Sequence, residues 1–174
     1  MPEITITLVD HTQSATENLR VLIKRALADI FADLLSSDSE ATVVNIRWMT
    51  ASPAASDQDL VLHFVENVAS SYVSQKMPGN AHRVDGGGFT RTQADKTGSE
   101  FYLAPLVNGR PARLTATGYA KLAAHEALHN MTGMSNTKLH AQGGVAGSPP
   151  QLPVNDANRR AAQGALGSIP DQLL

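Results

Sequence analysis

The chain has 174 residues, 42% of them apolar and 17% charged, enough apolar side chain for one buried core and too little charge for the polar kind of disorder. A formal net charge of −2 offers no basic footprint for nucleic acid or an anionic membrane, and no apolar run approaches the roughly 20 residues a bilayer requires. Cysteine is absent, which removes disulfides, thiolate metal sites and cysteine nucleophiles and leaves His, Asp and Glu to hold any metal. The expectation is a single soluble domain over residues 1–174. Its first residues lack the pattern of a secretory signal, so it would be cytoplasmic or exported by an unconventional route.

Ile4, Ile6 and Leu8 alternate with Thr5, Thr7 and Val9, the period of a half-buried strand. A helix follows at about 15–35. Ser14 with Glu17 three places on suggests its capping box, and Leu19, Ile23, Leu27, Ile30, Phe31 and Leu34 fall on one stripe. A β-branched segment from Thr42 to Met49 and a nearly continuous apolar run from Leu60 to Val65 are the next strands, separated by a loop around Pro53. Between Ala69 and Thr97 the pattern weakens. Gly86-Gly87-Gly88 precedes a short exposed strand near Phe89–Thr92, and without a following Lys-Ser/Thr it does not read as a phosphate loop. Phe101 to Val107 has strand composition up to the Asn108-Gly109 turn. A helix is expected from Thr115 to Thr132, capped by Thr115 or Thr117 and ended by Gly133. A loop follows at 143–150, then a last short helix from Asn155 or Asp156 to Leu166.

The residues that carry chemistry lie in the penultimate helix as His125-Glu126-Ala127-Leu128-His129. Side chains four apart share a helix face, so both imidazoles can address one ion, while Glu126 is offset enough to act on a water without ligating the metal. A catalytic zinc needs a third protein ligand and one open position. His140 is the nearest choice, because Gly133 lets the chain reverse toward the helix it has just left. Asp156 is the rival, and His82 and Asp85 are weaker candidates. His63, inside an apolar strand, reads as a satisfied sheet histidine. Tyr102 and Tyr119 have the phenols to stabilise an oxyanion, but packing is the simpler role for each.

His125-Glu126-Ala127-Leu128-His129 matches the HExxH motif of zinc peptidases, the zincins, and the order of elements is similar to the N-terminal part of a metzincin. The spacing diverges from that family's HExxHxxGxxH. Three residues rather than two precede Gly133, six rather than two separate it from His140, and no methionine follows to supply the family's methionine turn. The resemblance implies an α+β zincin-like fold, with a mixed, mostly parallel sheet, a long backing helix and an active-site helix. It implies a zinc-dependent endopeptidase in which His125, His129 and His140 bind Zn2+ and Glu126 is the general base. It also implies a peptide or protein substrate laid along the edge strand Gly88–Thr92. A zinc hydrolase of a non-peptide amide, or a binding module with a degenerate site, are the alternatives.

Overall fold

The computed structural model describes residues 2–37, 39–51, 53–54, 59–79 and 86–174. In chain order these form β1 (Glu3–Asp10), α1 (Glu17–Leu34), β2 (Val43–Met49), β3 (Leu60–Val65), α2 (Tyr72–Lys76), β4 (Gly88–Gln93), β5 (Lys96–Tyr102), β6 (Leu106–Val107), β7 (Arg110–Pro111), α3 (Ala116–Thr132), α4 (Asn136–His140), α5 (Asp156–Ala165) and β8 (Asp171–Gln172). The main sheet runs β2-β1-β3-β5-β4, with β8 also on β5. Every pairing in it is parallel except β4 with β5. The architecture is therefore α+β with a mixed, mostly parallel sheet.

The alternation in β1 places Ile4, Ile6 and Leu8 on the face that meets α1 and α3, where Ile23, Leu27, Phe31 and Leu34 of α1 are fully buried beside Ala120, Ala123, Ala127 and Leu128 of α3. Each large aliphatic side chain so removed from water contributes on the order of 2 kcal/mol. The cap of α1 differs from expectation. Thr16 accepts the Leu19 N–H at 3.1 Å, while the Ser14 hydroxyl donates to Glu66 Oε1 at 2.7 Å and so ties the helix start to the loop after β3.

The fifth strand also departs from the sequence reading, running from Lys96 to Tyr102 and not from Phe101 to Val107. Its Thr97, Ser99 and Glu100 are polar but buried, because each finds a partner inside. Glu100 accepts from the Ser71 hydroxyl, the Val73 N–H and the Tyr102 hydroxyl. Leu106–Val107 instead pairs with Arg110–Pro111 in a separate hairpin whose Asn108-Gly109 turn has both φ angles positive, as expected. The β4–β5 hairpin turns through Ala94-Asp95 in the same left-handed region, without a glycine to announce it.

The last strand, β8, fills the place beside the start of β5. There Gln172 accepts the Val61 N–H at 3.2 Å and exchanges two hydrogen bonds, of 2.9 and 2.7 Å, with the Asn130 amide of α3. Asn130 in turn donates to Ser99 Oγ at 3.0 Å, and Ser99 Oγ lies 2.8 Å from Thr90 Oγ1. This buried polar thread crosses the sheet to the cleft described next.

Candidate metal centre

Helix α3 carries His125, Glu126 and His129. Thr115 caps it by accepting the Gly118 N–H, and Gly133 ends it at φ 63°, a conformation that a side chain would resist. The reversal at Gly133 leads into α4, capped by Ser135 and ending at His140. This single helical turn fixes the direction of His140. One nitrogen from each of His125, His129 and His140 lies within 4.8 Å of the others, and the Nε2 atoms of His129 and His140 are 3.3 Å apart. Two nitrogens held at about 2.05 Å by a tetrahedral ion stand roughly 3.3 Å apart, so this pair has the separation such an ion requires.

The outer ring nitrogens decide which atoms face inward. His125 Nδ1 lies 3.1 Å from the Val145 carbonyl, and His129 Nδ1 lies 3.1 Å from the Met134 carbonyl. A carbonyl only accepts, so both Nδ1 atoms carry the proton and both Nε2 lone pairs are left for the shared space. Burial and the neighbouring His129 hold His125 down to about 4, and burial also lowers His129, so both imidazoles are neutral at pH 7, the form that ligates metal.

Glu126 is buried against β4 and accepts from the Thr90 hydroxyl at 2.6 Å. Burial pushes its carboxyl up to about 8, the Thr90 hydrogen bond opposes that shift, and Glu100 adds to it. A divalent cation nearby would favour the ionised form. Gly88 permits this close packing: a Cβ there would stand 2.6 Å from Glu126 Cγ and 2.8 Å from its Oε1. In front of these groups opens a cleft of about 920 Å3. It is lined by Gly86–Thr92, the β6 hairpin, Leu122, Met134, His140 and Ser148–Gln151. β4, the terminal strand of the sheet, borders it.

The other candidates stand elsewhere. Asp156 is 81% exposed and pairs with Arg159 at 2.8 Å, outside the histidine group. His82 and Asp85 lie outside the described residues. His63 is fully buried, donating from Nε2 to the Leu173 carbonyl and accepting at Nδ1 from His11, with Tyr72 stacked on both rings. The Tyr119 hydroxyl is engaged by Leu103 and Leu114, and that of Tyr102 by Glu100, so both are packing residues. Three contributors escaped the sequence reading. Thr90 lay in the expected edge strand, but nothing marked it as the partner of Glu126. The Val145 and Met134 groups are backbone carbonyls, which have no residue signature at all.

No protein-family model matches the chain, and no curated protein matches it. Among the described residues no helix is long and apolar enough to cross a membrane.

Proposed function

We propose that this chain is a zinc-dependent endopeptidase, a divergent metzincin-like zincin, in which His125, His129 and His140 hold the metal and Glu126 is the general base. The observation that carries the reading is the convergence of three imidazoles on one point beside an open cleft, two of them with their Nδ1 protons already committed to backbone carbonyls. The donor set suits the ion: three imidazole nitrogens leave a tetrahedral zinc one open position, the arrangement of catalytic and not structural sites. When bound, zinc would polarise a scissile carbonyl and make a water acidic enough to react near neutral pH.

The chain's own groups account for the rest. Glu126 takes the proton of the attacking water and delivers it to the leaving amine, and the Thr90 hydroxyl holds its carboxylate in place between the two transfers. The terminal strand β4 offers main-chain N–H and C=O groups along the cleft, which suits an extended peptide better than a compact amide.

Metal analysis of the purified chain and cleavage profiling on a diverse peptide library test the reading together. About one zinc per chain is expected, with cleavage abolished by a chelator and restored by zinc. A chain that takes up no zinc at micromolar concentrations would overturn the metal assignment. Zinc uptake without any peptide cleavage would overturn the peptidase and leave a hydrolase of another amide.

A further inference from the structure

The third histidine sits on a short helix followed by a loop that returns to the first histidine, and this loop places Val145 and Ala146 in the core. A second, polar anchor comes from α5 and fixes the loop's main chain. Asn158 is fully buried, and every part of its amide is used. Oδ1 accepts the Val145 N–H at 3.1 Å and the Asn155 N–H at 3.4 Å, while Nδ2 donates to the Gly143 carbonyl at 3.1 Å and to Gln142 Oε1 at 3.4 Å. Asn155 adds a 2.8 Å bond from its amide to the Gln142 carbonyl. The loop is shaped to receive this side chain. Gly144 has φ +57°, and a Cβ there would stand 2.4 Å from Asn158 Oδ1.

We propose that Asn158 is a positioning residue of the metal site, holding through the 142–145 loop both the Val145 carbonyl that orients His125 and the chain leaving His140. Its amide grips one residue, Val145, whose N–H it accepts and whose carbonyl receives the His125 Nδ1 proton. It also grips Gln142 and Gly143, two and three places beyond His140. Helix capping alone explains only the Asn155 contact; the other three bonds go to the loop.

The metal-affinity part of the test rests on the proposed metal site; the tautomer part does not. In the metal-free, full-length chain, long-range proton–nitrogen spectra of the imidazoles should show His125 protonated at Nδ1. Asn158→Ala should give a mixture of tautomers at His125, about tenfold weaker cobalt binding and an altered cobalt d–d spectrum. Asn158→Asp keeps the acceptor for Val145 but turns an oxygen toward the Gly143 carbonyl. It should weaken cobalt binding to a smaller degree, and it serves where the alanine variant does not fold. Arg159→Ala is the control: it removes the ties of α5 to Asp33, away from the loop, and should lower the melting temperature without changing either signature. Asn158 variants that melt earlier yet keep the wild-type tautomer and cobalt spectrum would overturn the proposal and leave Asn158 as a helix cap. A wild-type chain that binds neither zinc nor cobalt would refute the proposed function instead, with the tautomer measurement still deciding the role of Asn158.

Discussion

Gly88→Ala tests how closely the sheet edge is fitted to Glu126. The added methyl would lie 2.6 Å from Glu126 Cγ, 2.8 Å from Glu126 Oε1 and 2.6 Å from the Glu100 carbonyl, roughly 0.6 to 0.8 Å inside the 3.4 Å at which ordinary contact begins. The Glu100 carbonyl belongs to β5, whose ladder with β4 opposes movement, so Glu126 has to yield. Its carboxylate is tethered to Thr90 on the same strand, which turns the overlap into a displacement of the proposed base and not a free swing into solvent. Overpacking of this size costs about 1–3 kcal/mol of stability. A base misplaced by somewhat under an ångström costs up to about 10²-fold in turnover. The zinc content should not change, because the tethers of His125 and His129 are the Val145 and Met134 carbonyls. Urea unfolding, zinc analysis and peptide turnover on one preparation measure all three. Full turnover with a stability change under about 0.5 kcal/mol would refute the reasoning, since β4 would then not be seated this close to the base.

Glu126→Gln should keep zinc and fold while losing about 10²- to 10⁴-fold in turnover, and undiminished turnover would remove Glu126 as the base. His140→Ala should weaken zinc binding at least a hundredfold, about 3 kcal/mol, whereas Asp156→Ala should leave it unchanged; a zinc titration with the reverse outcome would exchange their roles. His63 supplies a pH test away from the three clustered histidines. Burial chiefly, with the facing His11, depresses it to about 4 against the Leu173 carbonyl that raises it, and the Tyr72 ring stacks on it. A depressed pKa means that the unfolded chain binds the proton first, so this contribution is intact above about pH 6.5 and is lost as the pH falls toward 4. The loss amounts to about 3 kcal/mol. Denaturant midpoints of His63→Gln should show a correspondingly shallower fall over that window, and identical slopes would refute the assignment.

Much of the site was legible because its signal is periodic. His125 and His129 declare a shared face through a spacing of four, and Gly133 declares the reversal that follows. The strand at 96–102 was hidden because Thr97, Ser99 and Glu100 are polar. Composition registers their polarity but not the partners that satisfy it, and those of Ser99 and Glu100, Asn130 and Ser71, are distant in the chain. Asn158 was visible only as part of a helix start. Its work depends on a loop that α5 meets in space, and two of the atoms that orient the histidines are carbonyls, present in every residue. The capping residue of α1 was misplaced for a similar reason, since Ser14 and Thr16 are equally suited and only the pull of Glu66 on Ser14 separates them.

The polar thread from β8 to Thr90 has a consequence for timing. A nascent chain that has not yet exposed residues 171 and 172 already contains the whole HExxH helix, yet the Val61 N–H and the Asn130 amide still lack their partner, and Ser99 and Thr90 stand against an unfinished neighbour. Each buried polar group left unpaired costs about 1–3 kcal/mol, a large fraction of a small domain's total stability. The cleft wall that holds Glu126 is therefore fully bonded only once Gln172 is in place. Synthesis delivers His125, His129 and His140 before the strand that completes the wall behind Glu126.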